Sequence, residues 1–316
     1  MKAAAINAFG AVDTIELRDL ATPKPGPGEV LVQCSYAGVN PVDAKICHGH
    51  LSKKIPHEFP LILGWEGAGT ITEVGEGVSR NRIGEEVYLF ARSSKVRWGT
   101  FCEFTIFPSE HVITKPTCLT LAEASTIALT GLTAWQALVD VLALKREQTI
   151  LIHGGGGGLG SFAIQLAKHL GAYVYTTVSK DKRDYASKMG ADMLIDYKAG
   201  PFCEQIRFHE PNGIDTVLDT IGGETLETSY RIVRPGGRLV SVASRAVLDP
   251  PREFELSTDF VSVQPKGEQL KAISQLFEEG QLQPPDLQIR PLDEVVSALT
   301  EAQQGHTKGK VTLRIS

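Results

Sequence analysis

One segment restricts the fold of this 316-residue chain more than any other: the run His153-Gly154-Gly155-Gly156-Gly157-Gly158-Leu159-Gly160. Gly155, Gly157 and Gly160 satisfy the spacing G-x-G-x-x-G. A short β run, Thr149–His153, precedes it, and helical periodicity over Leu159–Leu170 follows. Glycines in such a turn let the backbone approach an anion closely. The start of the following helix adds free N–H groups and a partial positive charge. In a strand–turn–helix frame this predicts a seat for the pyrophosphate of a dinucleotide rather than a flexible linker.

The surrounding pattern repeats the same unit. Tyr173–Val178 reads as a strand, Lys182–Met189 as a helix, Met193–Asp196 and Ile214–Asp219 as strands. Thr225–Val233 reads as a helix and Arg238–Val242 as a strand, with Gly236-Gly237 where a helix would stop. Alternating β and α elements imply an α/β doubly wound parallel sheet. The first third differs. Short alternating runs at Lys2–Ile6, Val30–Tyr36, Gly69–Val74 and Glu86–Phe90 are separated by turns such as Pro23–Gly28. They predict a barrel or curled sheet. Apolar spacing over Ala122–Leu142 predicts a helix at the change of texture. The tail carries two helices, Leu270–Glu279 and Leu292–Gln303, then a strand, Lys310–Ile315, expected to return to the N-terminal sheet. The expected domains are 1–123 with 266–316, and 124–265.

Composition removes several classes. A formal charge of -5 gives no bulk attraction for nucleic acid or an anionic membrane. No stretch is long and apolar enough to span a bilayer, and the N-terminus lacks an apolar signal core, so a cytoplasmic location is expected. Cys34, Cys47, Cys102, Cys118 and Cys203 are widely spaced, with no C-x-x-C pair, so neither a disulfide framework nor a structural zinc site is expected.

About 20 residues past the last glycine, at the end of the second strand, an acidic residue would bind a ribose 2′-hydroxyl. Here that position is Ser179, followed by Lys180, Asp181, Lys182 and Arg183. A hydroxyl and cations suit a 2′-phosphate, which a carboxylate would repel. The expected cofactor is therefore NADPH, with Asp181 as the dissenting residue.

Five further segments run in order along the chain: Ala37–Lys45, Leu63–Gly75, Thr130–Trp135, Asp219–Gly223 and Gly305–Val311. Together they resemble the zinc-independent medium-chain dehydrogenase/reductase superfamily, closest to quinone oxidoreductases and alkenal or enone reductases. The resemblance implies a GroES-like β-rich catalytic domain joined to a Rossmann domain. It also implies a homodimer. The alcohol dehydrogenase branch uses Cys where this chain has Asn40, and His where it has Trp65. Of that local ligand set only Glu66 remains, so no metal is expected.

The resemblance carries over site residues one position at a time. Lys45, Asn40 and Asp43 become candidate catalytic residues, with Lys45 steadying an enolate or touching the cofactor. Asp43 has the alternative of capping a local turn. Thr130 matches a residue beside the nicotinamide; Gly158 and Leu159 lie at the pyrophosphate. Ser179 and Lys182 are placed for the 2′-phosphate, and Tyr197 for the adenosine end. Ile221, Val242, Phe260, Val261 and Ser262 should flank the cofactor, and Lys310 should reach it. The implied reaction is hydride transfer from NADPH to a small enone or quinone. An enoyl-thioester reductase and an NADPH-binding redox-sensing or structural protein with little turnover remain as alternatives.

Overall fold

The computed structural model describes residues 1–305 and 307–316, with His306 and the side chain of Asn81 outside the described residues. The chain divides into two compact units. The first comprises residues 1–129, 264–279 and 284–316; the second comprises 130–263 and 280–283. No helix among the described residues is long and apolar enough to cross a membrane.

The first unit is built on a seven-stranded sheet. Its spine, Glu29–Gly38, pairs antiparallel with Glu66–Val74 on one side and with Phe104–Pro108 and Lys310–Arg314 on the other. The last strand thus returns to the N-terminal sheet, with Thr312 opposite Gly38, as its isolation in the sequence required. Leu287–Pro291 extends the sheet as its parallel neighbour. Inward side chains Val30, Val32, Ile71, Val87, Leu89 and Phe107 form one core cluster. A separate sheet of Glu16–Asp19, Lys2–Ile6 and Leu61–Ile62 packs Ala3, Ala5 and Ile62 against Cys102.

One helix of this unit, Pro41–Cys47, has a clear local cause. Pro41 opens it, where a missing N–H costs nothing, and Asp43 accepts the Asn40 backbone N–H at 2.9 Å.

The second unit carries six parallel strands in the order Met193–Asp196, Tyr173–Val178, Thr149–Ile152, Ile214–Asp219, Val233–Ser241, Ser257–Phe260. In chain order this is 3-2-1-4-5-6, the Rossmann arrangement. Leu151, Tyr175, Ile195, Ile206, Val217, Leu226 and Leu239 share its core. All the strands end at the same edge, where such folds place ligands.

Two expectations are corrected. The helix read over Ala122–Leu142 is three pieces: Leu121–Ala124, Ala128–Trp135 and a wider π turn, Gln136–Val141. Between the first two, the Ser125 and Thr126 hydroxyls donate to Ala122 O at 2.7 Å and Glu123 O at 2.8 Å. Such side-chain bonds compete with the helical ladder. Gly236-Gly237 does not end a helix; it lies inside the strand Val233–Ser241. Gly236 takes φ +74°, and its N–H reaches Glu255 O, so the strand bows there and its register with Ile214–Asp219 shifts.

In the first unit Tyr88 is fully buried, and its hydroxyl donates to Leu270 O at 2.7 Å with Ser274 Oγ at 2.9 Å. It ties the sheet to the helix Gly267–Glu278. Tyr88→Phe is expected to cost about 1–2 kcal/mol of unfolding free energy, read by urea denaturation.

Candidate functional site

The glycine turn of the second unit follows directly from the sheet. Thr149–Ile152 ends at His153, and the helix Gly158–His169 starts five residues later. Gly154 adopts φ +72°, a conformation that favours glycine. The three fingerprint glycines have different reasons to be glycine. A methyl group on Gly155 would stand 2.2 Å from Thr176 Oγ1, and one on Gly160 would stand 2.2 Å from Gly154 O. The fold itself demands those two. A methyl on Gly157 would meet nothing closer than Gly154 O at 3.5 Å. No neighbour in the protein requires that glycine, so the space above it suits an approaching pyrophosphate. Gly157 caps the helix without a side-chain bond, which leaves the N–H groups of the first turn, at Gly158 and Leu159, to an anion. The residues present fit a dinucleotide.

A buried histidine fixes the turn from below. Ser229 Oγ donates to Thr225 O at 2.6 Å, so it accepts from His153 Nε2–H at 2.9 Å. His153 Nδ1 therefore carries no proton and accepts from Thr177 Oγ1 at 3.1 Å. Thr177 Oγ1 in turn accepts the Gly154 N–H at 3.1 Å. Burial pushes the His153 pKa down to about 4, which keeps the ring neutral. Nothing in the sequence pattern singled out His153 for this role, because its partners lie 24 and 76 residues away.

The same sheet edge gathers most of the expected cofactor residues. Ser179 follows Tyr173–Val178 and is buried; Lys182 is half-buried. Asp181 is exposed, and its carboxyl is held below the usual range, first by a hydrogen bond from the Ser179 side chain, with Lys182 and Lys198 nearby. Lys182 is itself held below the usual lysine range by burial. Lys198, which sequence reasoning missed, lies 6.0 Å from the ring of Tyr197, itself 50% exposed. Asp219 shapes the next strand end. Its Oδ1 accepts the N–H groups of Ile221 and Gly222, and its Oδ2 accepts the Ser241 hydroxyl at 2.6 Å. This leaves the Ile221 side chain 58% exposed. Val242 N–H donates to Asp219 O, and Val261 N–H to Ser241 O. Val242 thus follows Val233–Ser241, and Phe260 closes the last strand with Val261 and Ser262 after it, the Arg245 guanidinium lying 4.9 Å from the Phe260 ring centroid. Thr130 is buried at the first position of the unit.

The first unit holds a different cluster, around a buried carboxylate. Glu66 Oε1 accepts from Lys310 Nζ at 2.6 Å and from Asn40 Nδ2 at 2.8 Å; Oε2 accepts the Leu129 N–H at 2.7 Å. Lys310 Nζ also donates to Asn40 Oδ1 at 2.6 Å and Val39 O at 3.2 Å. All three of its ammonium protons therefore have acceptors. Of the sequence-selected residues, Asn40, Asp43 and Lys310 come together here; Lys310 belongs to the first unit and the other cofactor candidates to the second. Glu66, noted in the sequence only as a remnant of a metal set, is the centre of the cluster.

Asp43 lies beside it, fully buried. Its Oδ2 holds the Asn40 N–H, while its Oδ1 has no hydrogen-bond partner among the described residues. Burial pushes its pKa up to about 7, against the pull of the Asn40 N–H and of Lys310. Lys45 points elsewhere. It is exposed and lines an open hollow of 260 Å³ with Pro41, His48, His50 and Gln303. The His48 and His50 rings stack there at 5.6 Å.

These residues do not fit zinc. Glu66 is bonded to an ammonium and two N–H groups, its neighbours are Asn40 and Trp65, and among the described residues no three His, Cys, Asp or Glu side chains are grouped to hold a metal.

Comparison with known proteins fits this geometry. Residues 26–117 match the alcohol dehydrogenase GroES-like domain, and residues 158–264 match the family described as zinc-binding dehydrogenase. The 2-methylene-furan-3-one reductase of Solanum lycopersicum is 32% identical over 99% of this chain and 79% of its own length. The mitochondrial NAD(P)H oxidoreductase RTN4IP1 of Danio rerio is 30% identical over 92% of this chain and 84% of its own length. The quinone oxidoreductase structure from Coxiella burnetii superposes with a TM-score of 0.90 at 28% identity, covering 100% of this chain and 99% of that one. With its Rossmann sheet, glycine turn and GroES-like unit, the chain belongs to the quinone oxidoreductase-like part of the medium-chain dehydrogenase/reductase superfamily and is an oxidoreductase that uses a nicotinamide cofactor.

Proposed function

We propose that this oxidoreductase takes NADPH and passes a hydride to a small enone or quinone without a metal. The observation that carries the cofactor choice is the end of the second Rossmann strand. Ser179 stands where a carboxylate would exclude a 2′-phosphate, and Lys182 and Lys198 gather around Asp181 beside it. The substrate class draws its support from the tomato furanone reductase and the Coxiella quinone oxidoreductase, both similar along nearly the whole chain.

Bound NADPH supplies the hydride. The turn from Gly154 to Gly160 holds its pyrophosphate, with Leu159 at the first helical turn. Tyr197, Ile221, Val242 and the segment Phe260–Ser262 line its flanks, and Thr130 the nicotinamide end. Lys45 makes no ion pair or hydrogen bond through its ammonium among the described residues, so it is available to a substrate oxygen that gains charge. Lys310 acts as a positioning residue: with its protons committed, it holds the Asn40 side chain in one orientation. Burial keeps Asp43 protonated up to near-neutral pH. A homodimer belongs to the same reading, supported by the edge position of Ser257–Phe260 in its sheet.

The deciding experiment is steady-state NADPH oxidation with a panel of small enones, quinones and enoyl thioesters. Turnover of enones or quinones well above thioesters is expected; turnover of none would leave a binding protein. Ser179→Asp should weaken NADPH binding by about tenfold or more while NADH binding is kept or improved, as measured by fluorescence titration. Lys45→Met should lower kcat by roughly 10- to 100-fold with little change in nucleotide affinity. Unchanged turnover would remove Lys45 from the chemistry.

Asp43 makes a separate prediction about stability. Its native pKa of about 7 lies above the ordinary 3.8. The folded protein therefore retains a proton that the unfolded chain releases. The corresponding stability is full below about pH 4 and is lost as pH rises through 7. Asp43→Asn keeps an acceptor for the Asn40 N–H and removes the titration. Its stability relative to wild type should rise between pH 4.5 and 7.5 by roughly 2–4 kcal/mol, read from urea unfolding at both pH values.

A further inference from the structure

The glycine run contains glycines that neither the fingerprint nor the helix cap explains, Gly156 among them. Gly156 occupies an unspecified position of G-x-G-x-x-G. Its φ is not in the left-handed region, so backbone conformation does not demand glycine there. What demands it is a side chain 26 positions later. A methyl group on Gly156 would stand 2.6 Å from Lys182 Cδ, 2.7 Å from Lys182 Cβ and 3.2 Å from Lys182 Cγ, and these are its three nearest neighbours. Contacts under 3 Å between carbons are repulsive, so any side chain at this position displaces Lys182. The aliphatic stem of Lys182 therefore lies flat against the bare Cα of Gly156.

That contact fixes the course of the side chain. Lys182 closes the short 3-10 turn Lys180–Lys182, anchored by its own N–H to Ser179 O at 3.0 Å. With the backbone tied to Ser179 and the stem seated on the turn, the ammonium is confined to a region where the charges of Asp181 and Lys198 act on it. Each Lys182 rotamer is accessible to a free lysine at little cost, so a seat for the stem is what selects one of them.

We propose that Gly156 is a specificity-determining residue, which positions Lys182 for the 2′-phosphate of NADPH by having no side chain. The inference rests on the reading that the cofactor is NADPH and that Lys182 serves its 2′-phosphate. Gly156 itself touches neither group. It acts through Lys182, and its loss shifts the enzyme toward NADH without weakening the hold on the pyrophosphate.

The test is calorimetric binding of NADP+ and NAD+ to wild type, Gly156→Ala, Lys182→Gly and the double variant, with 2′,5′-ADP and 5′-AMP as smaller probes. Thermal melting checks each fold. Wild type should prefer NADP+. Gly156→Ala should reduce that preference about tenfold while the NAD+ affinity stays within about twofold. In the Lys182→Gly background, which removes the stem, the alanine should change the preference no further. Wild type without preference, or Lys182→Gly with preference intact, refutes the reading of Lys182 and NADPH. If Lys182→Gly loses the preference and Gly156→Ala keeps it, the reading stands and the role of Gly156 is wrong. Equal weakening of both nucleotides, or loss of the fold, assigns Gly156 to the turn itself and also overturns the proposal.

Discussion

A carboxylate taken out of water needs partners, and the GroES-like unit is organised around satisfying one. Glu66 is fully buried, and its two oxygens draw in a lysine from the last strand, an amide from the start of a helix and a backbone N–H at Leu129. Removing Lys310 would leave the Glu66 charge buried without its counter-ion, a loss of several kcal/mol. The arrangement places Asn40 and Lys310 with a definition that apolar packing would not give them, and it consumes the acid group that the metal-dependent branch of the superfamily would need.

The Rossmann unit solves the opposite problem, keeping a polar turn rigid with neutral groups. His153 accepts through one nitrogen and donates through the other, and the chain of hydroxyls on either side leaves no proton unassigned. Because the ring is neutral across the physiological range, it adds no charge beneath the phosphate seat. Positive potential there comes from the helix N-terminus and from the lysines after Ser179.

Much of this was readable from the residues in order. The glycine turn, the parallel strands and the return of the last strand each follow from local pattern: glycine spacing, β-α alternation, and a final strand with no neighbour of its own. Harder to read were features set by distant partners. Lys310 and Glu66 lie 244 positions apart, so no window of sequence shows that one neutralises the other. Lys45 and Asp43 sit two residues apart on one helix, yet one is exposed and the other fully buried. Helix pitch separates them, and only the packed sheet decides which face is inside. Short strands such as Leu61–Ile62 and Val112–Thr114 escape notice because two or three residues carry no periodicity. The break after Ala124 was missed because hydroxyls that bond back to carbonyls leave the apolar spacing intact.

The placement of the final strand has a consequence for how the polypeptide matures on the ribosome. The Rossmann unit is nearly contiguous, residues 130–263 with a four-residue addition, so it can condense as soon as that stretch leaves the exit tunnel. The GroES-like unit cannot. Its central sheet lacks a member, and Glu66 lacks its counter-ion, until Lys310–Arg314 has been translated. Until then the sheet of the N-terminal half is open along Tyr36–Gly38, beyond the stretch that Phe104–Pro108 covers, and an unpaired strand edge is the kind of surface that pairs with other chains. Chaperone dependence should accordingly track the wait for those last residues rather than the overall length of the protein.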